Sequence, residues 1–388
     1  MAAPLFLRGN ILTPAGIQAD HLVEVSAGRI VKIFPARGRV SSDQALNYGG
    51  GLIVPGFIDL HVNPVGDCDL ANSAADAVDR LASRLARGGC TGFLAALITC
   101  DFKTLYRQLG RAKTWMGKRT QGARLLGVHL EGPFLNPLRR GVHPGKHITN
   151  PTSTKVSALL NAAGDSLKMM TVAPEVPGGM DLVRRLAKER VVASIGHSDA
   201  TYDQARESFE AGIRSATHLF NASSPYHHRA PGVAGAVLAI PQIVAQVIPD
   251  GWHVHPSCLE MVYRVKGKRH FAAVTDSLVA PQPGFVFAGR KITKKGKRFL
   301  AADATLAGSD LAMAQGLVNL QSFVKAPARD LIECLTLTPA RLLGIDRFKG
   351  SIETGKDADL VWLDEKGAVK ATWVEGEQVY VRDHRLRR

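Results

Sequence analysis

The sequence predicts an α/β fold: a (β/α)8 barrel of the TIM type over residues 55–345, with a small β-sandwich domain formed by both chain ends, residues 1–54 and 346–388. Three observations predict it. Between the ends, eight short apolar runs alternate with helical patterns, as parallel strands joined by helical crossovers do. Nearly every run is followed at its carboxyl end by an ionisable side chain, which is where a barrel carries its chemistry. Both chain ends consist of short apolar segments separated by turn residues. These read as antiparallel strands, too few on either side to bury a core unless the two ends pair.

Taken in order, the amino end carries strand patterns at residues 5–7, 22–25 and 29–33. The barrel strands follow at 56–62, 91–97, 124–130, 168–173, 191–195, 214–217, 243–248 and 271–275. Helical patterns separate most neighbours, at 74–87, 102–118, 153–163, 180–188, 201–211 and 256–265, and two more follow at 311–324 and 329–343. The link between the sixth and seventh strands has no clear period. The fifth helix is the best bounded: Ser198, Asp199 or Thr201 can cap its start and Gly212 ends it. Strand patterns return at 359–363, 369–374 and 378–381. No glycine-rich fingerprint follows the first barrel strand, which argues against an open dinucleotide-binding sheet.

Composition narrows the function classes. With 388 residues, 45% hydrophobic and 21% charged, the chain suits a large globular enzyme. Its net charge of +15 suits an anionic partner. The basic residues are scattered apart from the runs 290–298 and 382–388, aromatics make up 6%, and no nucleic-acid-binding motif accompanies them. A small anionic substrate is therefore expected rather than nucleic acid. The five cysteines are odd in number and widely spaced, the pattern of reduced core thiols. The amino end has no signal-peptide pattern and no apolar run reaches 18 residues, so a cytoplasmic location without a membrane partner is expected.

The strand ends suggest a reaction. His61, Glu131, Glu175, His197, His218, His253 and Asp276 follow seven of the eight strands. His197 and His218 stand 21 positions apart across one strand–helix–strand unit, and a right-handed crossover brings both to the same side of the sheet. Two imidazoles and one carboxylate, His197, His218 and Glu131, make a ligand set for a catalytic zinc that leaves a position open for water. Asp276 is then placed to take a proton and return it to a leaving group.

Several longer motifs go further: P-G-F-I-D-L-H at 55–61, H-L-E-G-P-F-L-N at 129–136, A-P-E at 173–175, G-H-S-D-A-T at 196–201, T-H-L-F-N-A at 217–222, P-G-V-A-G-A at 231–236, V-T-D at 274–276 and L-A-G-S at 306–309. Together they resemble the N-acetylglucosamine-6-phosphate deacetylases of the amidohydrolase superfamily, over essentially the whole chain. The resemblance implies hydrolysis of the acetamido group of N-acetylglucosamine 6-phosphate to glucosamine 6-phosphate and acetate. By motif position it implies Glu131, His197 and His218 as metal ligands and Asp276 as acid/base. Substrate contacts would come from His143, Asn221, Ala222, Arg229, His253, Leu306, Ala307 and Gly308, with Arg229 meeting the phosphate in a neighbouring subunit's pocket of a homodimer. The cofactor would be one divalent ion, zinc first, with iron, manganese or cobalt as alternatives. Two-metal members carry H-x-H on the first strand, whereas this chain reads His61-Val62-Asn63, so His61 is idle or a weak extra ligand. Other departures, at 63–69, Ser223, His255 and 277–279, touch substrate-facing loops. They leave open a related N-acyl amino sugar such as N-acetylgalactosamine 6-phosphate, or a sugar-phosphate-binding homologue without turnover.

Overall fold

The structure, a computed structural model, describes residues 4–36, 45–71, 76–279 and 284–382. The start of the helix expected from residue 74 and most of the basic run 382–388 lie outside the described residues. Eight barrel strands occur within two residues of their expected bounds: β1 (Phe57–Asn63), β2 (Cys90–Ile98), β3 (Arg124–Glu131), β4 (Leu167–Val172), β5 (Val192–Ile195), β6 (Ile213–Ala216), β7 (Val244–Val247) and β8 (Phe271–Ala273). Each pairs with the next in parallel. Both faces are covered, so these runs are mostly apolar rather than alternating; β1 is buried along its whole length. Just beyond β8, Ser277 and Leu278 pair with Val62 and Asn63 of β1, and Thr275 N–H donates to Asp59 Oδ1 at 3.2 Å. The eighth run therefore touches the seventh strand and the first, and the sheet curls round on itself.

The helices α1 (Ala77–Arg87), α2 (Phe102–Trp115), α3 (Ser153–Ala163), α4 (Gly179–Lys188), α5 (Tyr202–Ala211), α6 (Gly232–Ala239) and α7 (Pro256–Lys266) fill the crossovers. In α5, Thr201 accepts from the Gln204 amide, Gln204 accepts from the Thr201 amide, and Gly212 ends the helix. The α6 segment was not readable as a helix because Gly232 to Val237 are all buried; without a polar face there is no 3.6-residue period to detect. The expected helix 329–343 divides into α9 (Ala328–Leu335) and α10 (Leu337–Leu342), after α8 (Met313–Phe323). Pro339 explains the break, since it has no N–H for the Leu335 carbonyl and its ring crowds that oxygen.

Both chain ends join one eight-stranded sheet. Leu52–Pro55 lies between Leu5–Thr13 and Leu360–Leu363, with Val369–Val374 and Glu377–Val381 beyond on one side and Gly16–Ser26 and Arg29–Pro35 on the other. Leu7, Ile11, Trp362 and Trp373 belong to a core cluster separate from that of the barrel, and the Tyr48 ring packs against both tryptophans. The basic run 290–298 forms short hairpin strands. Arg290 pairs with Asp303 and Lys294 with Asp310, while Arg298 lies 4.6 Å over the Trp252 ring. Those charges are engaged locally, beside the mouth of the site.

Candidate metal centre and substrate pocket

The carboxyl ends of the barrel strands surround a cavity of about 260 Å³ whose lining includes Glu131, His143, His197, His218, Asn221, Ala222, His253, Asp276, Leu306 and Gly308. At its base His218 Nε2 lies 2.9 Å from Glu131 Oε1, His197 Nε2 lies 3.1 Å from the same oxygen, and the two nitrogens are 3.2 Å apart. Ligand atoms of a tetrahedral ion, held at roughly 2.0–2.2 Å, lie about 3.3–3.6 Å from one another. The triangle is within a few tenths of an ångström of that size.

Hydrogen bonding tests whether a cation fits. His197 Nδ1 donates to the Arg139 carbonyl at 2.8 Å, which leaves a bare lone pair on Nε2 aimed at a carboxylate oxygen. A divalent cation among the three atoms answers that arrangement. A second grouping, Glu131, His143 and His197, also brings one donor atom from each within 4.8 Å. His143 suits the third place less well than His218. Its Nδ1 lies 2.9 Å from Thr99 Oγ1 and its Nε2 3.7 Å from Glu131 Oε2, farther from the carboxylate than His197 or His218.

The backbone pays for this convergence. His197, His218, Ala222 and Asp276 have φ of 48°, 30°, 47° and 50°, in the left-handed region where a non-glycine residue costs about 1–3 kcal/mol. Glycine is required at 308, where φ is 68° and a Cβ would come 2.7 Å from the Asp276 carbonyl oxygen. Glu175 braces the His197 loop, accepting from Asn136 Nδ2, Ser198 Oγ and the Asp199 amide at 2.7–2.9 Å.

His61 is fully buried and its Nε2 lies 3.3 Å from both Glu131 Oε2 and Asp276 Oδ1. Burial disfavours its charged form, but those two carboxylates outweigh it and raise the pKa to about 9. For Glu131 burial acts to raise the pKa, and His61 with the other imidazoles holds it well below the usual carboxylate range. His129, behind the site, is pushed down to about 3 by burial. As a neutral ring it donates through Nδ1 to the Leu60 carbonyl and accepts at Nε2 from Thr171 Oγ1, at 3.1 and 2.7 Å.

A model of the amidohydrolase family matches residues 52–379. The chain belongs to the amidohydrolase family. Among similar proteins, an N-acetylglucosamine-6-phosphate deacetylase of Bacillus subtilis is 33% identical, the match covering 98% of each chain. An N-acetylgalactosamine-6-phosphate deacetylase of Escherichia coli O157:H7 is 30% identical over 95% of this chain and 97% of its own. The crystal structure of an N-acetylglucosamine-6-phosphate deacetylase from Pasteurella multocida superposes with a TM-score of 0.91 at 28% identity, covering 97% of this chain and 99% of that one.

In this amidohydrolase, one residue expected in the pocket, Ala307, does not line the cavity. Ala307 is fully buried and packs in the cluster beneath the hairpins, because the side chains of Leu306–Ser309 alternate along a strand. Arg229 is exposed, with Nη1 2.9 Å from His228 Nε2, and does not line the cavity of its own chain. His253 lines the cavity, with Nδ1 held by Asp250 Oδ2 at 2.7 Å. Asn63 lines the cavity and Thr99 contacts His143; neither was given a role from the sequence, and the only signal was that both are short polar residues at strand ends.

Proposed function

We propose that this chain is a metal-dependent deacetylase that hydrolyses the acetamido group of N-acetylglucosamine 6-phosphate to glucosamine 6-phosphate and acetate. One observation carries the reading: Glu131, His197 and His218 converge on one point beside Asp276 at the mouth of the barrel. The names of the relatives above support the substrate class.

Glu131, His197 and His218 would hold one divalent ion, zinc first among the candidates. When bound, it supplies a Lewis acid that polarises the scissile carbonyl and eases ionisation of water. Asp276 accepts a proton from the attacking water and returns it to the amine as the C–N bond breaks. His143 forms part of the pocket wall beside Glu131. Asn221, Ala222, His253, Leu306 and Gly308 form the wall against the sugar. Arg229, exposed on its loop, would reach the phosphate in a second subunit's pocket. Arginine's forked donors suit phosphate oxygens, and a homodimer follows from that reach.

The same reading places residues 55–345 in a catalytic barrel and 1–54 with 346–388 in a small domain that folds over its own core as a sandwich; the separate core cluster supports the division. A cytoplasmic enzyme fits five unpaired cysteines, and no helix among the described residues is long and apolar enough to cross a membrane. The second reading, N-acetylgalactosamine 6-phosphate as substrate, rests on the 30% identity with the Escherichia coli enzyme of that name. Acetate release from N-acetylhexosamines with and without 6-phosphate, using protein of measured metal content, decides between them. The expected order is the glucosamine phosphate first and the unphosphorylated sugars last. No turnover of any phosphosugar with one ion bound per chain would refute the reading.

A further inference from the structure

We infer that Asn63 is a positioning residue for Asp276, an inference that rests on the acid/base role proposed above. Asn63 ends β1 and is 1% exposed. The pairing of Ser277 with Val62 and of Leu278 with Asn63 fixes its register against the residue that follows Thr275. Its Nδ2 donates to Asp276 Oδ1 at 2.7 Å. A carboxylate only accepts, so the orientation of the amide is forced. Asn63 Oδ1 consequently points the other way and is buried without a partner.

The Asp276 main chain is held in its left-handed conformation by the Ser309 amide, which donates to its carbonyl at 2.8 Å. The freedom that remains is rotation of the carboxylate. Asn63 removes it: with His61 Nε2 3.3 Å from the same oxygen, Oδ1 is occupied and Oδ2 is left to exchange the proton. A buried asparagine that only satisfied a neighbour would contribute to stability and not to turnover.

The test is a double-mutant cycle on the metal-loaded enzyme, with kcat, KM, metal content and melting temperature measured for each variant. Asn63→Ala is expected to lower kcat about 10- to 100-fold, the usual effect of losing a charge-assisted or orienting hydrogen bond, with KM within about twofold and metal content unchanged. The near-isosteric Asn63→Asp keeps the volume and loses the donor, so its kcat should fall at least as far even if the alanine variant folds poorly. In an Asp276→Asn background, Asn63→Ala should lower kcat less than about twofold further. Unchanged kcat in both single variants, an equal loss in both backgrounds, or a loss matched by lost metal would overturn the inference. If Asp276→Asn alone turns over like the parent, the acid/base assignment is what fails.

Discussion

Replacing Gly308 by alanine tests whether the backbone at the mouth of the barrel is set by contact. At φ 68° an alanine costs about 1–2 kcal/mol relative to glycine. Its Cβ would also come 2.7 Å from the Asp276 carbonyl oxygen and 3.0 Å from Leu278 Cγ, an overpacking worth about 1–3 kcal/mol. Together these destabilise by roughly 2–5 kcal/mol. At about 2.1 cal/mol/K per residue, a chain of this length has a melting entropy near 0.8 kcal/mol/K, so the melting temperature should fall by about 3–6 °C. The crowded atom belongs to the residue read as the base, and a shift of its main chain by about 1 Å should lower kcat by roughly 10²-fold. Calorimetry and steady-state kinetics at saturating metal measure both effects. Gly296→Ala is the control: φ is 60° there and nothing lies within 4 Å of the added atom, so stability falls without a change in kcat. A Gly308→Ala enzyme that melts within about 1 °C of the parent and keeps its kcat would refute the contact argument.

Asp276→Asn should bind its ion normally and lose roughly 10²–10⁴-fold in kcat, read by metal analysis beside turnover. Chelation should abolish acetate release and added zinc should restore it; activity that persists in chelated protein would remove the ion from the reaction. Glu175→Gln removes the charge that three donors share around the His197 loop, and denaturant titration should show a loss of about 1–3 kcal/mol. For Arg229→Ala, KM for the phosphorylated substrate should rise while that of an unphosphorylated analogue stays constant; mixing this variant with Asp276→Asn should recover some activity if the arginine serves a neighbour's pocket. Burial pushes the Cys68 and Cys100 thiols up to about 11 and 12. A raised thiol pKa leaves little thiolate at pH 8, so labelling of these two should quicken about tenfold per pH unit between 8 and 10.

The fold was legible where a strand or helix had to show a period. The barrel strands are mostly apolar on both faces, and α5 carried a capping pair and a terminal glycine that act locally. The convergence of Glu131, His197 and His218 was legible for a related reason, since parallel strands all place their ends on one side and a histidine or acid there has few other reasons to be buried. What stayed hidden depends on register. Ala307 and its neighbours read alike as a segment, and only strand alternation decides that Leu306 and Gly308 face the cavity. Asn63 is the sharper case: as the third letter of His61-Val62-Asn63 it read as a lost ligand. It meets Asp276 only because the run beyond β8 pairs with β1 across 213 positions of sequence. A pattern of residues can announce a missing imidazole, but the partner that gives the asparagine its use is supplied by closure of the sheet.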